Sequence, residues 1–413
     1  MPICKHTFIG LDLGTSAVKG VLVGDDGELL ARAKRPVDFL RPRPGFVEID
    51  PEAHWQSVHA LICELAAQSP APVAALAMAA ASGNTLLLNA DGTPRTNIIS
   101  WLDARDDWCP PASWKVHEVV GWPGIPSFPL AHLHWLQQHQ PATLKGALVG
   151  MNNDYLAWRL CGRRALDHSS ATPFYLQDQR TFTYHRPFLD AFGIAEHQLP
   201  DLLPSGTRIG ALHPEHCAPG LTPATAVVSG SFDHPAAARA LDVTQAGDLL
   251  VSCGTSWVGF YPVPERRIIE GELADPFLSQ SGGPWGSIFS VPQIGLSIEA
   301  WIRDHYGASA DRYARCNADA LAGDSPARRM MLETIQTFMT KLGSRSPARL
   351  VMAGGPAEGA AWPVLLARQL GIPVAVSAFH QDAGAVGAAR IAGAPRVRCE
   401  YRTFSPDAQE NTP

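Results

Sequence analysis

Apolar residues first gather in three short runs, Thr7–Leu13, Val18–Gly24 and Glu28–Arg35. Each is of strand length and bounded by turn residues, so the chain is predicted to open with three strands. Asp25-Asp26-Gly27 joins the second run to the third, and Asp-Gly between apolar runs is a hairpin signal. After a Pro/Arg/Gly-rich loop, Arg41–Gly45, the period changes. Trp55, Val58, Ile62 and Leu65 recur at helical spacing, behind Asp50 as N-cap and Pro51 as first helical residue. Val73–Ala80 predicts another strand, followed by Thr85–Asn89 and a turn at Asp91-Gly92. Asp154–Leu160 reads as a helix ended by Gly162.

Proline and glycine are dense from Pro200 to Pro223, which predicts irregular chain leading to a strand at Ala226–Ser229. Asp248–Ser252 and Val258–Tyr261 are strand-like runs flanking a glycine turn. The second half thus begins as the first does, with strand, Gly-Thr-Ser, strand, a weak internal repeat. The domain boundary is placed near residue 240, giving expected domains of 1–240 and 241–400 and a tail of 401–413. Ser297–Tyr306 and Arg328–Leu342 predict helices. Arg349–Met352 predicts a strand running into Ala353-Gly354-Gly355-Pro356. A helix over Ala360–Leu370, a strand at Val374–Val376 and a small-residue helix over Gly384–Ala392 follow. Alternating strands and helices argue for an α/β fold, and the residues from about Tyr401 are expected to be loosely ordered.

Composition narrows the class. The chain has 413 residues, 46% hydrophobic and 17% charged, enough for sizeable cores in two or three domains. Its net charge of -6 and scattered basic residues predict no nucleic-acid partner. The longest apolar run, near Val73–Ala81, is too short to span a bilayer, so no membrane partner is expected. The eight cysteines form no CxxC pair, which fits a reduced, cytoplasmic compartment.

Five features could carry chemistry. Asp12-Leu13-Gly14-Thr15-Ser16 lies between two predicted strands. Glycine there lets an anion approach the backbone, successive N–H groups form a nest, and a carboxylate beside it could order magnesium through water. An ordinary hairpin turn is the alternative. Gly254-Thr255-Ser256 repeats the arrangement. Asp233, in Gly230-Ser231-Phe232-Asp233-His234-Pro235, follows a strand and could accept a hydroxyl proton, or simply cap a helix. Gly354 and Gly355 permit a flat ring to lie on the backbone, but also suit a plain strand–helix turn. Trp101-Leu102-Asp103-Ala104-Arg105 suits a polyhydroxyl ligand, with an internal ion pair under a Trp lid as the alternative. His213, His216 and Cys217 lack a suitably spaced fourth zinc ligand. Neither a Walker loop nor a GxGxxG motif occurs.

In this order the features resemble the FGGY carbohydrate kinases, relatives of glycerol kinase in the actin-like ATPase superfamily, over residues 7 to about 395. FIGLDLGTSAVKGVLVGDDG resembles the family's first phosphate loop and EIDPEAHW its helix start. WLDAR resembles its W-x-D-x-R segment, and Asn153–Leu160 with Asp167-His168-Ser169 its D-x-S block. SGSFDHPAAARAL, VSCGTSW, and MAGGPAEGAAWPVLLARQLGIPVAV with GAVGAARIAG resemble the catalytic, second phosphate and adenosine segments.

The resemblance implies two ribonuclease-H-like domains with an inter-domain active-site cleft, and transfer of the γ-phosphate of Mg-ATP to a ketose or polyol. Asp233 would be the general base. Gly14, Thr15 and Ser16 would hold phosphates with Lys19 assisting, and Asp12 would order Mg2+. Gly254 and Thr255 would form a second phosphate contact, and Gly354 and Gly355 would lie against adenosine. Gly83, Asn84, Trp101, Asp103, Arg105, Phe232 and Asp233 would line the sugar side. A homodimer is a further expectation. The chain departs from the family in two places. It has Ala81-Ser82-Gly83-Asn84 where sugar-recognising members often read Gly-Gln-Met-His, which leaves the sugar open, and the stretch after Tyr306 is short. A non-catalytic sugar- or nucleotide-binding relative, or another actin-like ATPase, are the rival readings. The Asp233 carboxylate speaks against the first, and WLDAR with SGSFDHP against the second.

Overall fold

The computed structural model describes residues 4–81 and 83–407. They divide into two compact units. Unit 1 comprises the chain to Ala240 together with Asp275–Gln280 and Gly384–Arg398, and unit 2 the remainder. Residues 384–398, which fall within the expected second domain of 241–400, therefore pack with unit 1.

Unit 1 is built on a mixed sheet of β1 (Thr7–Leu13), β2 (Ala17–Gly24), β3 (Leu29–Pro36), β4 (Val73–Ala80), β5 (Arg208–Ala211) and β6 (Ala226–Phe232). Across the sheet the order is β3-β2-β1-β4-β6-β5. β1 pairs antiparallel with β2 and parallel with β4, and β6 continues parallel to β4. The turn at Asp25-Asp26-Gly27 closes the β2–β3 hairpin, where Glu28 N donates to Asp26 Oδ1 at 3.0 Å. Helix α1 (Pro51–Ala67) starts as its sequence requires, with Asp50 Oδ1 accepting from Glu52 N at 2.8 Å and Ala53 N at 3.0 Å. Such a cap contributes about 1 kcal/mol. Its buried stripe of Trp55, Val58, Leu61, Ile62 and Leu65 shares a core with Ile9, Leu11 and Leu22. Each fully buried aliphatic side chain there contributes roughly 1.5–3 kcal/mol. His54 lies on the same buried side of the helix. Helices α2 (Asn152–Cys161) and α3 (Asp233–Ala240) complete the elements of this unit that bear on function.

Unit 2 holds β7 (Asp248–Cys253), β8 (Trp257–Val263), β9 (Leu273–Asp275, at the unit boundary), β10 (Trp285–Val291), β11 (Arg349–Gly354), β12 (Val374–Ser377) and β13 (Tyr401–Phe404). The order β9-β10-β8-β7-β11-β12-β13 repeats that of unit 1 at its centre: the first strand (β1, β7) lies between the second, antiparallel to it (β2, β8), and a later strand parallel to it (β4, β11). This is the ribonuclease-H-like sheet, present in both units. Helices α4 (Ile294–Tyr306), α5 (Arg312–Ala322), α6 (Pro326–Leu342) and α7 (Ala361–Leu370) carry its core of Trp257, Phe289, Ile335, Phe338 and Trp362. The final helix, α8 (Ala383–Ile391), leads from unit 2 into unit 1.

Several elements differ from expectation, among them β5, which forms at Arg208–Ala211 inside the stretch expected to be irregular. β10 gives no alternating pattern because it is an interior strand buried almost throughout. α5 buries only Cys316 and Ala320, too small a stripe to be seen as a helix in the short stretch after Tyr306. Tyr401–Phe404 is not loose: it pairs antiparallel with β12, Tyr401 and Phe404 half-buried and Arg402 and Thr403 facing water, the habit of an edge strand. Among the described residues no helix is long and apolar enough to cross a membrane.

Candidate active site

β1 delivers the loop Gly14-Thr15-Ser16, and its last turn places Asp12 opposite Lys19 of β2. A Cβ at Gly14 would stand 2.9 Å from Ala17 O, so the turn is drawn too tight for a side chain. Asp12 faces the start of α8, where a Cβ at Gly384 would lie 2.8 Å from its carboxyl carbon. The small residues of α8 bring that helix onto β1 as well: a Cβ at Gly10 would fall inside the backbone of Ala385 and Ala389.

The structure brings Thr15, Asn84 and Trp101 together. The Trp101 indole N–H donates to Thr15 Oγ1 at 3.1 Å, and its backbone N donates to Asn84 Oδ1 at 3.0 Å. Asn84 Nδ2 in turn donates to Asn152 Oδ1 on α2 at 3.1 Å. Gly83, at φ +107°, sits under the Phe128 ring and beside Trp101, while Ser82 lies outside the described residues.

Asp103 and Arg105 do not join this group. Asp103 is wholly buried and accepts from Val47 N at 2.6 Å and from the Arg105 guanidinium at 2.8 Å and 2.9 Å. Arg105 also binds Glu48 at 2.6 Å and lies 4.1 Å above the Phe46 ring. Both side chains are engaged in an internal ion pair, the alternative that the sequence leaves open beside a place on the sugar side. An unpaired partner in such a buried site would be costly, so the pair is structural.

Asp233 opens α3 directly after β6. Its backbone neighbour His234 N donates to Oδ1 at 2.7 Å, and the His234 ring stands 3.9 Å away. The Asp233 side chain keeps 23% exposure, yet the surrounding protein is dense enough that desolvation pushes its carboxyl above the usual carboxylate range, against the pull of His234. Phe232 before it is buried, edge-on to Trp122 at 5.4 Å.

Behind Asp233 lies a buried cluster that the sequence does not announce. Ser169 Oγ accepts from Phe232 N at 3.2 Å and from Ser231 Oγ at 3.3 Å, and donates to Asp275 Oδ2 at 2.7 Å. Asp275 also accepts from Phe277 N at 2.7 Å. Burial pushes its carboxyl up to about 7, with Asp167 adding repulsion and Ser169, Phe277 N and Arg239 opposing. Ser169 belongs to the Asp167-His168-Ser169 segment singled out in the sequence, but Asp275 ends the three-residue strand β9, which no sequence pattern marks.

In unit 2 the loop Gly254-Thr255-Ser256 turns between β7 and β8, with Gly254 N donating to Ser256 O at 3.1 Å. Thr255 O accepts from Gly295 N at 2.9 Å, tying the loop to the first turn of α4. Gly354 pairs in register with Cys253, so the two glycine turns end adjacent strands. Gly354 holds φ +95°, where a side chain would strike Cys253 O, and Gly355 has open space where a Cβ would stand.

Comparison with known proteins points to one family. Residues 7–239 match the FGGY family of carbohydrate kinases, N-terminal domain. The chain is 30% identical over 301 residues to a xylulose kinase from Klebsiella pneumoniae, covering 71% of this chain and 62% of the relative. It is 30% identical over 275 residues to the xylulose kinase of Escherichia coli (strain K12), covering 65% and 56%. The chain thus spans 56% to 62% of the length of these relatives. The crystal structure of ligand-bound xylulose kinase from Lactobacillus acidophilus superposes with a TM-score of 0.85 at 17% identity, covering 98% of this chain and 94% of that one. At that identity the likeness speaks for the fold, which is that of sugar kinases of the actin-like ATPase type. With more than half of its length matched, and in the segment that carries Asp12, Asn84, Trp101 and Asp233, the chain belongs to the FGGY family of carbohydrate kinases.

Proposed function

We propose that this protein transfers the γ-phosphate of Mg-ATP to a hydroxyl of a small sugar, a ketose or a polyol. The observation that carries the reading is Asp233, a carboxylate at the end of an interior strand whose basicity is raised by its surroundings. A general base works best when its pKa approaches the working pH, and burial moves Asp233 in that direction.

Asp233 takes the proton of the acceptor hydroxyl on its carboxylate, and Ser169, by holding Phe232 N, fixes the strand end from which it projects. Gly14, Thr15 and Ser16 receive the terminal phosphates on backbone N–H groups, with Lys19 adding positive charge from β2. The tight turn at Gly14 supports this assignment, since a side chain there would meet Ala17 O. Gly254 and Thr255 give a second phosphate contact, and the open backbone at Gly355 beside Gly354 suits a flat base. Among the described residues no cluster of three or more His, Cys, Asp or Glu side chains could hold a metal ion. Magnesium commonly rests on nucleotide phosphates and one or two carboxylates, and Asp12 would hold it here. When bound, Mg-ATP supplies the phosphoryl group and much of the neutralising charge; the protein adds the base, further positive charge and positioning. Gly83, Asn84, Trp101 and Phe232 line the acceptor side.

Asp233→Asn tests the role of the base. Loss of a positioned base costs about 10²–10⁴-fold in turnover, so kcat is expected to fall by at least about 100-fold. Nucleotide affinity, measured by titration calorimetry, is expected to stay unchanged. Near-normal kcat in this variant would refute the assignment.

A further inference from the structure

A small space lies at the junction of the first phosphate loop and the acceptor side. It is lined by Gly14 and Thr15 from the loop, Asn84, Ser100, Trp101 and Asn152, with His54 of α1 entering between apolar neighbours. Its volume is ≈ 10 Å³. By that measure it admits a single water or hydroxyl group and nothing larger.

Among the described residues the polar groups around it have partners, with one exception. Asn84 is held at both ends, by Trp101 N and Asn152, and the Trp101 indole is spent on Thr15. Ser100 Oγ accepts from Leu102 N at 3.2 Å. The His54 ring, only 6% exposed, makes no hydrogen bond among the described residues, and its Nε2 is buried without a partner. Buried polar groups are nearly always satisfied, so an unsatisfied one needs an explanation. A packing role alone gives none, because an apolar side chain would fill the same stripe of α1 without leaving a nitrogen unpaired.

We propose that His54 is a specificity-determining residue that receives one hydroxyl of the phosphoryl acceptor into the space beside Thr15 and Asn84. The proposal rests on the kinase reading above. A hydroxyl both donates and accepts, and it would meet an imidazole and the Thr15 hydroxyl, which still has its own hydrogen to give after accepting from Trp101. A phosphate oxygen would fit less well, since burial keeps the ring neutral. His54 thereby supplies acceptor recognition in a chain whose Ala81–Asn84 segment lacks larger polar side chains.

The test compares wild type, His54→Phe and His54→Gln on the sugar that wild type phosphorylates. Wild-type turnover decides the kinase reading on its own, and only the variants address His54. For His54→Phe the acceptor KM is expected to rise about tenfold, the equivalent of one lost hydrogen bond. The KM for ATP should stay within about twofold, with thermal stability unchanged or higher. His54→Gln, which keeps a donor and an acceptor, should recover most of the loss. Among monodeoxy analogues of the acceptor, one should cost wild type about tenfold but His54→Phe almost nothing. An unchanged acceptor KM in both variants, or equal effects on ATP and acceptor, would overturn the proposal and leave His54 as a core residue beside a bound water. If His54→Phe does not fold, the analogue series on wild type and His54→Gln decides alone: no analogue discriminated differently by the two means no contact.

Discussion

Asp275 and His54 are buried titratable groups with opposite consequences for pH. The Asp275 carboxyl is raised to about 7 from an ordinary value of 3.8, so its neutral form is favoured in the folded chain. Folding takes up a proton between those values; the stability this gives is complete below the lower one and is lost as pH rises through about 7. His54, lowered from 6.5 to about 4, contributes stability present above its ordinary value and lost as pH falls toward the lower one. Asp275→Asn keeps an acceptor for Ser169 and cannot ionise. Relative to wild type it is expected to gain about 2 kcal/mol of unfolding free energy between about pH 5 and pH 8. Urea unfolding at the two pH values measures this, and parallel curves for the two proteins would show that Asp275 is already ionised in the fold. At this scale the sequence is legible where a residue's neighbours along the chain define it. Asp233 after an apolar strand is such a case. Ser169 and Asp275 are 106 positions apart, and their bond depends on tertiary packing that no local pattern encodes. For Asp103 and Arg105 the sequence leaves a ligand contact and an internal ion pair open, and the fold turns each toward the other.

Helix α8 shows what elements add. Its run of small residues is plain in the sequence, and the helix forms where expected, but its partners are early segments of the chain. Gly10 of β1 receives Ala385 and Ala389, Gly384 faces Asp12, and Gly387 meets the backbone of Ala236 on α3, the helix that Asp233 opens. One element thus lies against Asp12 and against the helix that Asp233 opens, and its small residues set how closely it approaches them. Gly387→Ala would force a Cβ into Ala236 and push α3 outward. Overpacking of this kind costs about 1–3 kcal/mol, so a loss of that size is expected in urea unfolding, with a fall in kcat as Asp233 moves. Unchanged stability and turnover would mean that α3 yields freely and does not position the base. Elements were hardest to read where packing removed the usual signal. β10 is buried on both faces and so shows no alternation, while α5 has too few buried residues to make a stripe.

The whole chain repeats one plan. Each unit sets a Gly-Thr-Ser loop between the first and second strands of a sheet with the same central order. That repeat is visible as strand, Gly-Thr-Ser, strand in two places, because each loop is a contiguous stretch between two short apolar runs. The return of residues 384–398 to unit 1 was not, since contiguity in sequence is the natural guide to a boundary and here the chain crosses back. The chain is also short beside its relatives, spanning 56% of the Escherichia coli xylulose kinase, so phosphoryl transfer has to be measured on this protein itself. The most direct measurement is the product. The protein is incubated with Mg-ATP and a panel of ketoses, polyols and aldoses, and each sugar is weighed by mass spectrometry while ADP is counted. One class of ketose or polyol is expected to gain a single phosphoryl group, with one ADP formed for each sugar modified. ATP that binds and yet leaves every sugar of the panel unmodified would contradict the kinase reading.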